Sequence, residues 1–428
     1  MFRAPKWKQK SHNEMPSKRH PPRLILLTQW FDPEPTFKGL LFARELRQQG
    51  FNVEVVTGFP NYPGGKLYDG YKIRPIQREV IDSIAITRLP IFPSHDRNAI
   101  GRTANYVSFF LSAALYLTFF AKRADILYVY HPPLTVGLAA AVAKIFRRTP
   151  TVVDIQDMWP DTLRATGMIG NENAVRLVGT ACNWLYRQVN HIVVLSPGFK
   201  RLLEHRGVPA DKVSVIYNWA DEASIVSEKL ADPFPETQDN KFRLLFAGNM
   251  GRAQALSNLI EAAEIVGRKR KDIEFCLLGG GLEVATLKKQ VADKKLGNVS
   301  FLPHVPMSEV GPYLAHADCM LVHLRNDPLF DITIPSKTQA YMAAGKPIIM
   351  AVSGDAAELV KSAKCGLVVD PENPPALADA IMELASLPVE ATATMGQNAS
   401  DFYRSTLSIA KGISLFEKVF RSVIPRTQ

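Results

Sequence analysis

Short apolar segments alternate with amphipathic ones along most of the chain, and this alternation predicts strands separated by helices. In the first half, each apolar segment leads into a loop rich in glycine, proline or aspartate and then into helical periodicity. The predicted strands are residues 23–28, 52–57, 125–130, 151–155, 191–195 and 213–217, and the predicted helices include 39–49, 135–146 and one that begins at Pro197. This order is typical of a parallel, doubly wound sheet.

Periodicity is lost over residues 221–240, where aspartate and proline accumulate as in a linker. A second series follows, with predicted strands at 243–247, 273–278, 299–302, 319–323 and 348–352 and predicted helices at 255–266, 307–316, 337–344 and 374–385. We therefore predict an α/β protein with two doubly wound, Rossmann-like domains, residues 23–220 and 241–400, that face each other across a cleft. A C-terminal helix within residues 401–428 is expected to pack back on the first domain.

The chain is basic, with 51 Lys and Arg against 41 Asp and Glu in 428 residues and a formal net charge of +10. A basic surface suits phosphates, anionic lipid or nucleic acid. The sequence has no aromatic RNA-binding motif, no zinc-finger spacing and no basic-region heptads, so we do not expect a nucleic-acid partner.

Four cysteines are scattered singly, and this spacing favours neither a disulfide framework nor a zinc site. They are Cys182, Cys276, Cys319 and Cys365. A reducing compartment is the expected location.

Two segments suggest contact with a membrane surface. Residues 1–22 carry six basic residues against Glu14 alone and lack the apolar stretch of a secretory signal, so we expect a disordered tail that can lie on anionic lipid. Residues 104–121 contain no charge and reach the lower length limit of a membrane-spanning helix. Because polar residues dilute this segment and strands of one predicted sheet flank it, we expect a helix half buried in the domain and half facing lipid.

A short predicted helix near residue 337 carries an unusual charge. Ser336 and Gln339 fit a capping box, and Gly345 followed by Pro347 ends the helix. Lys337 then lies in the first turn, where the helix dipole disfavours a cation by roughly 0.3 to 1 kcal/mol. Either a bound phosphate offsets this cost, or the lysine reaches out to solvent.

Further candidates lie where predicted strands end, since ligands bind at the carboxyl ends of parallel strands. His131, Asp157 and Asp161 occupy such positions, although for each residue taken alone a turn histidine or a helix-capping aspartate is the simpler explanation. Gly39 marks a strand-to-helix turn. The glycines at 248–251 and 279–281 are not a dinucleotide fingerprint and predict only space for a phosphate or a base.

Several motifs together resemble a GT-B glycosyltransferase of family four, in the retaining branch that builds bacterial surface polysaccharides. They are PEPTFKGLLFARELRQQGFNVEVVT, DILYVYHPPLTVGLAAA, VVDIQDMWPD, FAGNMGRAQAL, IPSKTQAYMAAGKPI and SGDAAELVKSAKCGLVV. The resemblance implies a nucleotide-sugar donor, UDP-linked, in the C-terminal domain and a lipid-linked or growing glycan acceptor, as in capsule or O-antigen synthesis, in the N-terminal domain. Transferases of N-acetylfucosamine are among the similar relatives.

The chain departs from the family pattern at its paired glutamates, whose positions hold Ile332 and Ala340. Asp331 is expected to substitute for the first glutamate. The Arg and Lys of the family's glycine loop correspond to Asn249 and Gln254, and Arg252 and Lys337 remain as the donor-site cations.

The remaining roles also follow from the resemblance. Glu358 corresponds to a glutamate near the donor sugar. Gly248, in the glycine loop, is expected on the donor side, and Gly39 and Asp161 are expected on the acceptor side. Asp157 or His131 would orient or deprotonate the acceptor hydroxyl. Because the sequence contains no D-x-D motif, we expect a metal-independent reaction without a cofactor. The basic tail and the apolar helix lead us to expect this reaction at the inner face of the plasma membrane.

Two alternatives remain open from the sequence. A nucleotide-sugar 2-epimerase would share the fold and the donor site but would need neither an acceptor nor a membrane. A non-catalytic assembly subunit with a GT-B fold is suggested by Ile332 and Ala340.

Overall fold

The computed structural model describes residues 20–94, 99–131, 133–165, 171–225, 231–234 and 241–425. Within these residues, the N-terminal domain contains an eight-stranded sheet in the order β3-β4-β2-β1-β5-β6-β7-β8. Its strands are β1 Arg23–Leu27, β2 Asn52–Gly58, β3 Gln77–Ile81, β4 Ile84–Leu89, β5 Ile126–His131, β6 Thr151–Ile155, β7 His191–Val194 and β8 Val213–Val215. All neighbouring strands are parallel except β3 and β4, which form an antiparallel hairpin.

Helices cover both faces of this sheet. They are α1 Leu40–Gln48, α2 Ala99–Leu115, α3 Leu134–Arg147, α4 Asp161–Ala165, α5 Glu172–Gln188 and α6 Pro197–His205. A π-helical turn, Tyr116–Phe120, extends α2. Because both faces are covered, β5 is apolar and buried along its whole length, and alternate residues of β1 enter different cores.

The C-terminal domain repeats this architecture with a six-stranded parallel sheet, in the order β11-β10-β9-β12-β13-β14, among the described residues. Its strands are β9 Phe242–Ala247, β10 Ile273–Leu278, β11 Val299–Leu302, β12 Cys319–His323, β13 Ile348–Ala351 and β14 Gly366–Val368. The helices from the linker onwards are α7 Glu222–Ile225, α8 Ser257–Lys269, α9 Val284–Asp293, α10 Gly311–His316, α11 Pro328–Asp331, α12 Ser336–Ala343, α13 Asp355–Ala363, α14 Pro374–Leu384, α15 Val389–Phe402 and α16 Ile409–Val423. The prediction of two Rossmann-like domains is confirmed.

The chain passes between the domains twice, and the two passages are bonded to each other. The Tyr403 hydroxyl, in a π-helical turn after α15, donates to Glu222 Oε1 at 2.8 Å and accepts from the Ala220 N–H at 3.1 Å. Beyond it, α16 lies against the first sheet, where Phe416 contacts the rings of Phe42 and Tyr128. Residues 1–19 of the basic tail and residues 226–230 and 235–240 of the linker lie outside the described residues.

The structure differs from the sequence predictions at three places. The β3–β4 hairpin was not predicted; β3 contains no buried residue, whereas β4 is buried along most of its length. The helix predicted at 307–316 begins as a 3-10 turn, Met307–Glu309, and α10 follows it. The capping box at Ser336 is wrong, because Pro335 is the N-cap, Ser336 is already helical, and no side chain among the described residues caps α12. The helix itself is present, with Lys337 in its first turn.

Candidate active site

The two domains meet at the carboxyl ends of their strands. Ser196, which follows β7 and caps α6, donates from Oγ to the Ile332 carbonyl at 2.5 Å. The N–H of Gly198 donates to Asp355 Oδ2 at the start of α13, and Arg201 pairs with the other oxygen of that carboxylate. The predicted cleft is therefore bounded by loops that follow parallel strands in both domains.

On the C-terminal side, the central feature is the Lys337 ammonium. Its Nζ lies 3.8 Å from the centroid of the Phe246 ring and faces Gly248, where an added Cβ would lie 2.9 Å from it. Within the described residues, no carboxylate or hydrogen-bond acceptor pairs with this ammonium. Burial lowers the pKa of Lys337 to about 8. The ammonium therefore contacts an aromatic ring but no anion in the described part of the chain, and an anionic ligand would stabilise it.

The loop at Gly248 is held open by backbone bonds. Gly248 has a φ of +128°, which favours glycine, and its N–H donates to the Leu278 carbonyl at 2.8 Å. Met250 donates to the Gly280 carbonyl at 2.7 Å, so the glycine loops after β9 and β10 lie side by side. The absence of a side chain at Gly248 lets the Lys337 ammonium lie close to this backbone.

Arg252, the second predicted cation, lies on a 3-10 turn just after the glycine loop. Its side chain is 87% exposed, and its Nε is 3.7 Å from Glu283 Oε1. An exposed pair of this kind contributes little to stability, so Arg252 can turn towards a ligand at small cost.

The two predicted donor-side carboxylates lie in different environments. Glu358 is on α13, is 66% exposed and pairs with Lys361 at 3.0 Å. Asp331 ends α11 and is partly buried, and its pKa is raised by burial and by the nearby Asp327 charge. Asp331 directly precedes Ile332, and Glu358 shares the first turn of α13 with Asp355, so both carboxylates are close along the chain to the domain contact.

On the N-terminal side, Asp157 follows β6 and is partly buried. Burial raises its pKa, and among the described residues its carboxylate has no hydrogen-bond partner. Its charge also contributes to the raised pKa of Tyr106 and of Tyr130, for both of which burial is the main cause. Such a carboxylate can accept a proton from a ligand hydroxyl.

His131 ends β5 and is 2% exposed, and neither of its ring nitrogens has a hydrogen-bond partner among the described residues. An added Cβ on Gly137 of α3 would lie 2.6 Å from the imidazole Cδ2, so the ring packs under that helix. Burial lowers the pKa of His131 to about 4. The imidazole is therefore neutral at pH 7 and lies beneath the surface of the site.

The two predicted acceptor-side residues have local partners. Asp161 forms an ion pair with Arg206, which also donates to the Trp159 carbonyl at 3.2 Å. At Gly39, a side chain would collide with the Asp32 carboxylate, which accepts from the Leu40 N–H at 2.7 Å. Gly39 is thus required by the loop itself, and the first turn of α1 is already capped.

A buried ion pair beneath Asp157 was not predicted. Lys38 Nζ lies 2.7 Å from Asp154 Oδ2, both side chains are about fully buried, and the Tyr128 hydroxyl donates to the same oxygen at 2.6 Å. Lys38 also donates to Asn218 Oδ1 at 2.9 Å, and Asn218 donates to Gln156 Oε1 at 2.7 Å. The network therefore ends on the residue that precedes Asp157. An aspartate inside the apolar strand VVDI was the available signal, since a buried charge requires a partner.

Ile332 has a role that the sequence did not indicate. A Cβ added to Gly198 would lie 2.5 Å from the Ile332 Cβ, so the two domains touch at this point. The residue in the position of the family's first glutamate is therefore a packing residue between domains.

Family models match both halves of the chain. Residues 40–219 match the model described as a glycosyl transferase 4-like domain, and residues 228–402 match the model described as glycosyl transferases group 1. The two matches together cover more than four fifths of the chain. The chain belongs to the group 1 glycosyltransferases. The expectation of a glycosyltransferase is confirmed at this level.

Two known proteins are similar to this glycosyltransferase in sequence over most of their length. The probable glycosyltransferase WbjE of Pseudomonas aeruginosa is 25% identical over 305 residues, which are 69% of this chain and 75% of WbjE. The putative colanic acid biosynthesis glycosyl transferase WcaI of Escherichia coli K12 is 24% identical over 357 residues, 80% of this chain and 86% of WcaI.

Solved structures share the fold at low sequence identity. HepE of Anabaena in complex with UDP and glucose has a TM-score of 0.65 and 17% identity, over 94% of this chain and all of HepE. Sucrose-phosphate synthase of Thermosynechococcus elongatus has a TM-score of 0.68 and 16% identity, over 94% and 98% of the two chains. The glycosyltransferase described here therefore has the GT-B fold.

Proposed function

We propose that this enzyme transfers a sugar from a UDP-linked donor to a lipid-linked or growing polysaccharide acceptor during bacterial surface glycan synthesis. The sugar is a hexose or an N-acetylamino sugar of the N-acetylfucosamine type. Support comes from the name of WcaI, which assigns it to colanic acid synthesis, and from HepE, which was solved with UDP.

The observation that carries the proposal is the Lys337 ammonium beside Gly248. A cation with no carboxylate or hydrogen-bond partner among the described residues, at the start of a helix and next to a glycine loop, suits the diphosphate of a nucleotide sugar. Arg252 is close along the chain and exposed enough to bind the same group. These fixed charges would stabilise the departing diphosphate without a metal or a cofactor.

The proposed reaction retains the configuration at the anomeric carbon. The bond between that carbon and the diphosphate oxygen breaks, with its electron pair going to UDP, and the acceptor oxygen bonds to the same face. Asp157 takes the proton of the acceptor hydroxyl, in keeping with its raised pKa. His131 acts as a neutral ring beneath this group, and Asp331 and Glu358 lie on the donor-sugar side.

Nucleotide binding tests this function directly. Thermal melting with UDP and GDP, followed by calorimetry, should show stabilisation by UDP of roughly 2.7 kcal/mol at 100 times its dissociation constant. Lys337→Ala should lose most of this effect, whereas Lys361→Ala, an exposed lysine on α13, should keep it. Absence of nucleotide binding in the parent would refute the proposal, and conversion of a UDP-sugar to its epimer without an acceptor would assign the chain to the epimerases.

We also infer that the enzyme works at the inner face of the plasma membrane. Residues Ile100–Phe120 are, by length and composition, apolar enough to cross a bilayer, and about a third of this segment is buried in the protein. Phe109 and Ala113 enter the core, while Ile100, Leu111, Leu115 and Phe119 form an exposed stripe. Lys122 and Arg123 follow the stripe and suit anionic headgroups.

A further inference from the structure

Two aromatic side chains stack at the open end of the N-terminal sheet. Trp30 follows β1 and Tyr62 follows β2, and their ring centroids lie 4.7 Å apart with 30° between the planes. Both residues are only partly buried. They lie at the carboxyl ends of central strands, where a doubly wound sheet binds its ligands.

A buried carboxylate fixes the two loops relative to each other. Glu34 Oε1 accepts from the N–H groups of Asn61 at 2.7 Å and Tyr62 at 2.8 Å, and Oε2 accepts from the Phe31 N–H at 3.1 Å. The Tyr68 hydroxyl donates to the Tyr62 carbonyl at 2.7 Å. Placing a carboxylate at 2% exposure is costly without such bonds, so the loop geometry is strongly specified.

The helix α2 also holds the two aromatic loops in place, through a polar residue within its apolar sequence. Asn105 is 2% exposed, accepts from Gln29 Nε2 at 2.6 Å and donates to Asn61 Oδ1 at 3.1 Å. This contact joins α2 to both aromatic loops and fixes the position of the next residue, Tyr106. The apolar stripe of α2 and the two loops are thus parts of one connected structure.

Tyr106 and the candidate base complete this part of the site. Burial raises the pKa of Tyr106, the Arg102 charge opposes the rise, and Tyr62 and Asp157 add to it. Asp157 follows β6, which only β5 separates from β1 in the sheet, so it lies at the same sheet edge as the aromatic pair.

We propose that Trp30, Tyr62 and Tyr106 form an acceptor platform on which a pyranose ring of a lipid-linked acceptor lies, with its reacting hydroxyl directed to Asp157. This inference rests on the proposed function and specifies its acceptor site. The C–H face of a pyranose packs on the electron-rich face of an aromatic ring, and a rigid stacked pair presents such a face at little entropic cost. The adjoining stripe of α2 would place the lipid in the membrane while the sugar reaches the cleft.

Fluorescence titration tests the platform, with octyl glycosides of hexoses and N-acetylhexosamines as the probe and saturating UDP present. We expect at least one glycoside to change the tryptophan emission of the parent. Trp30→Phe should bind that glycoside with little loss but without the emission change, while Tyr62→Leu should weaken binding roughly tenfold and Tyr62→Phe only slightly. Phe37→Leu, an exposed aromatic residue of the same loop, is the matched control and should bind as the parent does.

The outcomes separate this proposal from the proposed function. UDP affinity, measured by calorimetry on the same samples, should be the same in all four variants and reports folding and donor binding. If UDP binds but no glycoside affects the parent, or if Tyr62→Leu binds the glycoside as the parent does, the platform is wrong and the proposed function stands. Failure of the parent to bind UDP would instead refute the proposed function.

Discussion

The guanidinium of Arg201 in the N-terminal domain forms a 2.7 Å ion pair with the carboxylate of Asp355 in the C-terminal domain. The same carboxylate accepts the Gly198 N–H in the first turn of α6, so Asp355 adds a second capping bond to a helix of the other domain that Ser196 already caps. Arg201 is largely exposed while Asp355 is buried, and the cap therefore contributes more to the contact than the ion pair. The contact favours the closed arrangement of the cleft.

Removing this contact should open the cleft. Asp355→Ala loses a cap worth about 1 kcal/mol, which is roughly a fivefold change in the ratio of closed to open forms. Small-angle scattering should show a larger radius of gyration, with unchanged helix content by circular dichroism. Lys361→Ala, on the exposed side of the same helix, should scatter as the parent does. A parent-like radius for Asp355→Ala would show that the domains are held by other contacts.

UDP affinity should fall as pH rises above about 8. The pKa of Lys337 is lowered to about 8 in the folded protein, so the ammonium that binds the diphosphate is lost above that pH, and binding near pH 8 should take up a proton. Calorimetry in two buffers of different ionisation enthalpy measures the uptake. Lys337→Ala and Arg252→Ala should each lose about 1.5 to 3 kcal/mol of binding, and only the former should lose the pH dependence. A pH-independent parent would exclude Lys337 from the donor site.

Asp157→Asn should separate chemistry from donor binding. The amide cannot accept the hydroxyl proton, so transfer should fall roughly a hundredfold or more while UDP affinity is kept. Initial rates with a UDP-sugar and a lipid-linked acceptor measure the transfer, and calorimetry measures the UDP affinity. Parent-like turnover in this variant combined with a loss in His131→Ala would transfer the role of base to the histidine.

His131 should make the protein sensitive to acid. Its folded-state pKa is lowered to about 4, so between the ordinary value near 6.5 and pH 4 the unfolded chain binds a proton that the folded chain does not. The free energy of unfolding should therefore fall by about 3 kcal/mol on this account as pH falls through that window. Urea unfolding of the parent and of His131→Leu at pH 7 and pH 4 measures the difference. Equal losses in both proteins would contradict the assignment.

Binding to anionic vesicles should have a salt-resistant part. Attraction by basic residues is screened within about 8 Å at physiological salt, whereas burial of the α2 stripe is not. A deletion of residues 1–22 should keep the salt-resistant fraction, and Leu111→Ser with Leu115→Ser should remove it. Leu177→Ser, an equally exposed leucine on α5, is the control. Complete release of the parent by salt would mean that the stripe does not enter the lipid.

The sequence predicts those features of the fold and the site that depend on residues close together in the chain, but not those that depend on contacts between distant residues. Buried strands such as β5, and the alternation of strand and helix patterns along the chain, were sufficient to predict the two domains, because local hydrophobic periodicity indicates which residues are buried. The Lys337 helix was also predictable. The bond between Gly198 and Asp355 joins residues 157 positions apart, and no local pattern encodes it. The same applies to Asn105, whose polarity was visible but whose partners in two loops were not.

The packing of α16 has a consequence for synthesis on the ribosome. Arg421 donates to the Gln49 carbonyl 372 positions earlier, and Phe416 and Phe420 complete the aromatic cluster around Tyr128. Translation adds about 5 to 20 residues per second, so α16 is synthesised roughly tens of seconds after the rest of the first domain. During that interval the apolar surface formed by Phe42 and Tyr128 lacks the rings of Phe416 and Phe420 that cover it in the folded protein.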